Sequence, residues 1–175
     1  KTPDGYPPFF MPLDFDRPGA YVEIFEAIAE RAGFETNAII ETNKVRALAE
    51  FGEGWLVELF VNPAWYEGHE QAAISLFTDP LVEFDDILIF PPGRGFAFDG
   101  DGEQLRDRTI ATVVGYLYPF EALFLRDDSP SDLLLLRKVA AGRVEAGVMN
   151  RIVARWWAAE DGRTVEFGPV FERGP

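Results

Sequence analysis

The stretch Ala140–Asn150, "AAGRVEAGVMN", decides the fold. Gly142 reads as a helix stop, because a glycine just past a periodic apolar run accepts the left-handed turn that ends helices. Residues 144–149 then form a short apolar run of the kind buried in a sheet, and "RIVARWW" restarts a helical period. Asn150 therefore stands at the tip of a strand and the start of a helix. In open α/β sheets ligands bind at such tips. An asparagine there also caps a helix.

Working outward, strands and helices alternate. "SPSDLLLLRKVAAG" carries a start signal, with Ser129 as cap, Pro130 at the first helical position and Asp132 at the third. "TIATVVG" is a β-branched strand, "PFEALFLR" is predicted helical, and "TVEFGPVF" is a last extended piece. Before them, "ISLFTDPLVEFDDILIF" runs extended for a long way, with acids in its middle. Nearer the start, "AYVEIFEAIAERAG" is an amphipathic helix with Tyr21, Ile24, Phe25, Ile28 and Ala32 on one face and Gly33 as its stop. "FETNAII" predicts a strand, "NKVRALAEFGEG" a helix and "WLVELFVN" a second strand, followed by a loop at "PAWYEGHEQAA". The alternation occurs on both sides of the long extended segment. It predicts an α/β architecture with parallel sheets of βαβ type, the extended segment crossing between two lobes, each a sheet flanked by helices.

Composition removes several functions. With 16 Lys and Arg against 30 Asp and Glu, the net charge is −14, the wrong sign for a phosphate backbone, so no nucleic-acid partner is expected. The chain has no cysteine and one histidine, His69, which excludes thiolate nucleophiles, disulfides and His-paired metal sites. No metal and no cofactor are expected. "DGDGE" at 99–103 opens like a calcium loop, but Ile110 stands where the twelfth-position acid is required, leaving an acidic turn. "GRGFAF" lacks the third glycine of a dinucleotide fingerprint. No apolar run approaches membrane-spanning length, so no direct membrane insertion is expected.

Five stretches together carry a resemblance. "DGYPPFF" (4–10), "GAYVEIFEAIAERAG" (19–33), "SLFTDPLV" (75–82), "QLRDRTIATVVGYLYP" (104–119) and "LRKVAAGRVEAGVMN" (136–150) are similar, in order and spacing, to the bacterial extracellular solute-binding proteins of family 3, the amino-acid type of periplasmic binding protein. The resemblance implies two lobes with hinge crossings near 81–89 and 167–171. Residues 1–85 with 168–175 would form one lobe and 86–167 the other. It also implies further family elements before Lys1 and after Pro175, a periplasmic location, a small-molecule solute held in a cleft, a membrane permease or receptor as partner, and a monomer.

The departures bear on the ligand. Amino-acid binders of this family place an arginine six residues before the phenylalanine of the "FT-x-P" segment, and here that position is Gln71. They end the "aGr-x-da" strand on an aspartate, and here that position is Asn150. Two neutral amides thus replace the two charged anchors of a zwitterion grip. Charge-assisted hydrogen bonds contribute about 1.5–3 kcal/mol each, so the loss weakens a zwitterion by about two to four powers of ten. A standard α-amino acid is therefore not the expected best ligand. The remaining candidates for ligand contact are Tyr6 and Phe9 in the first loop, Trp65 and Tyr66 after a strand, and Gly115 and Tyr116 after another. Backbone N–H groups of Gly115 and Tyr116, near a helix start, are candidate anion donors. Against each aromatic stands the plain alternative of core packing. Against Asn150 stands capping, and against Gln71 a solvated loop.

Three functions fit these observations. The first is a non-catalytic binder of a small polar solute, for uptake or sensing. The second is a dehydratase-like enzyme on the same fold, with a carboxylate such as Glu58, Glu67 or Glu70 as proton donor. The third is a sensory or interaction domain with a vestigial cleft.

Overall fold

The computed structural model describes residues 4–12, 14–35, 59, 61–67, 70, 73 and 75–174. Contacts divide the chain into two units, Lys1–Phe77 and Thr78–Pro175. Most of the strand expected at 34–40, the helix at 43–54 and most of the strand at 55–62 lie outside the described residues, as do Glu58, His69 and Gln71.

In the first unit, helix α1 spans Ala20–Ala32. Its N-cap, Gly19, has no side chain to offer the first-turn N–H groups. The aromatic loop supplies acceptors instead: Ala20 N–H donates to the Pro8 carbonyl at 3.0 Å and Tyr21 N–H to that of Phe9 at 3.1 Å. The loop closes on itself through Tyr6 N–H to the Phe10 carbonyl at 2.7 Å. A side chain at Gly19, whose φ is 111°, would strike the Phe9 carbonyl, so this contact requires glycine. At the far end Gly33 turns left-handed and its N–H reaches the carbonyls of Ala29 and Glu30, as the sequence predicts. The buried face differs from expectation. Tyr21, Val22 and Ala29 are buried, whereas Ile24 and Ile28 are exposed. Tyr21 packs against Phe9 (ring centroids 4.6 Å, stacked) and Phe10 (5.7 Å).

The second unit is a five-stranded mixed sheet. Strands β1 (Phe84–Phe90), β2 (Thr109–Val113), β3 (Leu125–Ser129), β4 (Ala146–Asn150) and β5 (Glu166–Gly174) lie in the order β3-β2-β4-β1-β5. β2 runs parallel to β3 and β4, as the alternation predicts, but β1 runs antiparallel to β4 and β5, so the sheet is mixed rather than wholly parallel. Helices α2 (Asp132–Ala140) and α3 (Arg151–Glu160) follow β3 and β4. α2 lies so close to β4 that a Cβ at Gly147 would be 2.7 Å from Leu135 Cδ2 and 2.8 Å from Val139 Cγ2. The other face is covered by the aromatic segment 96–124. Leu88, Phe90, Ile110, Ala146 and Val148 of the sheet pack there with Phe98, Leu105, Tyr118, Phe124 and Phe171. Both faces of β1 are thus covered, and Ile87, Leu88, Ile89 and Phe90 are all essentially inaccessible.

Two sequence expectations fail in this unit. Residues 119–124 form turns rather than a helix, with Phe120 in a left-handed conformation (φ 62°) and Leu123 N–H donating to its carbonyl. The strand that follows, β3, has the polar sequence LRDDS and shows no apolar alternation. Arg126 holds it in place, donating to the carbonyls of Tyr116 (3.2 Å) and Val113 (3.3 Å) and pairing with Glu121 and Asp128. Because Ser129 completes β3, the cap of α2 falls to Ser131, whose Oγ accepts Leu134 N–H at 3.4 Å.

Candidate ligand-binding site

The parallel strands β2, β3 and β4 end side by side, and polar residues, most of them buried, lie at their C-terminal tips. After β2 come Gly115 and Tyr116. β3 ends on Ser129 and is followed by Ser131 and Asp132, and β4 ends on Asn150. The start of β1 joins them, since Asp86 pairs with Asn150 across the antiparallel ladder. In a sheet of this kind the strand tips are where side chains of several elements converge on a ligand.

Asn150 does two things. It is 2 % exposed, and its Oδ1 caps α3, accepting the N–H groups of Ile152 at 3.0 Å and Val153 at 3.4 Å. Its Nδ2 is buried and has no hydrogen-bond partner among the described residues. What the side chain has left to offer is therefore a donor.

Asp86 was not singled out from the sequence. It shares the alternation of Leu88 and Phe90, so an acid occupies the inward-facing row of a core strand. Its Oδ1 is buried without a partner. Burial, with Glu172, Asp132 and Asp85 as like-charged neighbours, pushes its pKa up to about 8, and only the facing Asn150 amide acts in the opposite sense. The Asp86 carboxyl therefore retains its proton at neutral pH. The sequence signal was available, as an aspartate at even spacing from two core residues in "FDDILIF".

Tyr116 is half-buried against the aromatic cluster, and burial together with Asp132 and Asp86 raises its pKa above the usual phenol value. Its N–H turns back to the Val113 carbonyl at 3.2 Å, and no helix follows. The anion-binding helix start expected at Gly115–Tyr116 is therefore not built. Gly115 makes the turn, at φ 81°. A cavity of about 240 Å³ opens beside Asn150, lined by Glu83, Phe84, Asp85, Arg151 and Ile152. Asp85 pairs there with Arg151 at 3.0 Å.

The candidates in the first unit lie in two groups. Tyr6 and Phe9 are ring neighbours (5.8 Å), both half-buried, with Phe9 stacked on Tyr21. Trp65 and Tyr66 lie in a single 3-10 turn, Pro63–Tyr66, capped by Asn62 Oδ1. Tyr66 is 4 % exposed and lies 6.2 Å from the Phe77 ring, whereas Trp65 is half-exposed. Gln71 lies outside the described residues. Among the described residues no group of acids or histidines has metal-binding geometry, and the "DGDGE" carboxylates instead brace their own turn. None of the described helices is long and apolar enough to cross a membrane.

No family model matches the sequence, and no curated protein does. Solved structures do match. The GluR0 ligand-binding core in complex with L-glutamate superposes with a TM-score of 0.76 at 15% identity, over 98% of this chain and 78% of that one. An ABC uptake transporter substrate-binding protein from Streptococcus pneumoniae with bound histidine gives 0.70 at 14% identity, over 97% and 73%. The BvgS periplasmic VFT2 domain of Bordetella pertussis gives 0.67 at 19% identity, over 98% and 74%. At these identities the likeness establishes the fold, which is the α/β periplasmic-binding-protein fold that the sequence resemblance implied.

Proposed function

We propose that this chain, built on the periplasmic-binding-protein fold, captures a small polar solute without transforming it, for uptake through a permease or for sensing by a receptor. We further infer that a standard α-amino acid is not its best ligand. The observation that carries this second reading is the state of Asn150. Its oxygen is committed to the cap of α3, and its Nδ2–H, which faces the Asp86 carboxyl, is a donor. An ammonium group needs an acceptor, so Asn150 cannot hold one. A ligand that presents a neutral or anionic acceptor fits it better. The fold itself supports binding, since its structural relatives are ligand-binding cores and substrate-binding proteins. In this reading Gly115, Tyr116 and Asn150 supply contacts from the second unit, and Tyr6, Phe9, Trp65, Tyr66 and Gln71 supply them from the first. Strands β1 and β5, adjacent and antiparallel, would carry the hinge crossings, with 1–85 plus 168–175 as one lobe and 86–167 as the other.

The test is a thermal-shift panel of amino acids, quaternary amines, polyamines, small dicarboxylates and aromatic acids. Ligand at about a thousand times its Kd adds about 4 kcal/mol of stability. The expected result is little response to common α-amino acids and a clear shift with another class. The combined change Gln71→Arg and Asn150→Asp should then confer α-amino-acid binding. The largest shift coming from a common α-amino acid in the unaltered protein would refute the ligand assignment.

One observation favours a second reading. A carboxyl that keeps its proton at neutral pH is the form a general acid requires, and Asp86 is such a carboxyl. Turnover of a bound solute that is lost on Asp86→Asn would replace the binder with an enzyme.

A further inference from the structure

The opposite end of the second unit's sheet holds a different chemistry. Where β2 and β4 begin, a cavity of about 400 Å³ is lined by Arg94, Phe96, Arg108, Thr109, Arg143 and Glu145, among others. Three arginines thus line one cavity in a chain of net charge −14. Their pairing is unequal. Arg108 is fully engaged. Its Nε donates to the Gln104 carbonyl at 2.8 Å, its NH1 donates to Glu145 Oε2 at 2.8 Å, and its plane lies 4.0 Å from the Phe96 ring centre. Glu145 is engaged as well, since its Oε1 accepts Thr109 N–H at 3.1 Å. Arg94 and Arg143 have no carboxylate partner among the described residues.

Arg94 is presented rather than trailing. Its N–H donates to the Pro91 carbonyl at 3.0 Å, and the neighbouring Gly93 N–H donates to Glu166 Oε2 at 3.3 Å. Its guanidinium lies over Gly142, where an added Cβ would be 3.3 Å from NH1. Gly142 closes α2 in a left-handed turn (φ 66°), so the residue that stops the helix also leaves the space the arginine uses. The three arginines share this end of the sheet with the Glu145 carboxylate, with Glu166 beside the Arg94 turn, and with the C-terminal end of α2, which carries a partial negative charge. Arg108 has its counter-ion in Glu145, whereas Arg94 and Arg143 have no carboxylate within ion-pair distance among the described residues.

We propose that this cavity is a second binding site, which takes a small oxyanion, carboxylate or phosphate, between Arg94 and Arg143 against the wall formed by Arg108 and Phe96. Guanidinium forks match the paired oxygens of both groups. The site lies at the opposite ends of β2 and β4 from Gly115 and Asn150, so it stands or falls independently of the solute reading. The oxyanion has two possible sources, a free small anion or an acidic side chain of a partner protein.

The experiment is calorimetric titration of the whole chain with inorganic phosphate, with citrate and with a glutamate-rich peptide. Ionic strength is held constant with sodium chloride, because salt alone screens such charges. The comparison is the double variant Arg94→Gln with Arg143→Gln, its folding checked by circular dichroism. The expected result is saturable binding that falls at least tenfold in the variant, about 1.4 kcal/mol. A second variant, Arg94→Lys with Arg143→Lys, keeps the charge and should bind with intermediate affinity. Saturation by phosphate or citrate assigns a free anion, and saturation by the peptide alone assigns a partner's acidic segment. No saturable binding of any of the three, or binding that survives in the double glutamine variant, overturns the proposal.

Discussion

Asp86→Asn is the change that most directly tests the reading of the strand-tip surface. The folded protein holds the Asp86 carboxyl with a pKa of about 8 against an ordinary value of 3.8, so its proton is bound about four powers of ten more tightly than in the unfolded chain. Each power of ten is about 1.4 kcal/mol, which caps the effect at about 6 kcal/mol. Between pH 4 and pH 8 the folded state holds a proton that the unfolded state has released. Stability from this group is therefore greatest at low pH, falls as pH rises, and levels off once both states are ionised above about pH 8. Asparagine has nearly the same shape and no charge to desolvate, so the variant should lose this slope. Side-chain relaxation and water access reduce the ceiling, and a gain of at least about 2 kcal/mol at pH 8 is expected. For a chain of this length that is a rise in Tm of about 4–8 °C. The assay is thermal unfolding of both proteins across pH 4 to 9. Tm curves that run parallel across the range, with the variant displaced by a constant amount or by none, would refute the reasoning.

Two further predictions concern the scaffold of the site. Gly147→Ala places a methyl group 2.7–2.8 Å from Leu135 and Val139 side chains, and should cost about 1–3 kcal/mol in chemical denaturation by overpacking α2 on β4. Asn150→Ala removes both cap hydrogen bonds of α3, and should cost about 0.5–2 kcal/mol in the same assay, whereas Asn150→Asp keeps the cap.

The elements with strong local signals were legible in the sequence. α1, α2, β2, β4 and α3 each combine an apolar period with a glycine stop or a polar cap, and these signals depend on neighbours in the chain. β3 and the turns before it were not legible, because what forms them is distant. Arg126 ties β3 to carbonyls at positions 113 and 116, and the sequence LRDDS shows no strand period. The shift of the α2 cap from Ser129 to Ser131 follows from the same cause, since β3 claims Ser129. The dual nature of Asn150 could be posed from the sequence, but only the structure divides it, oxygen to the helix and amide N–H to the strand tip. Asp86 was legible by parity alone, whereas its protonation depends first on burial and then on Glu172 and Asp132, which lie far from it in sequence.

The two outer strands of the second unit's sheet also have a consequence for how this protein meets copies of itself. An outer strand normally offers a row of unpaired N–H and C=O groups to which another chain can add. β3 presents that row flanked by Arg126, Asp127 and Asp128, so an approaching strand would have to strip water from three charges. β5 interrupts its row instead. Pro169 lacks an N–H, and the pairing with β1 slips between Asp86 and Ile87 and again between Ile87 and Ile89, which bends the outer strand. Neither border presents the flat, continuous template that sheet-to-sheet growth requires. The side chains that define this fold's margins thus also guard it against aggregation by strand addition.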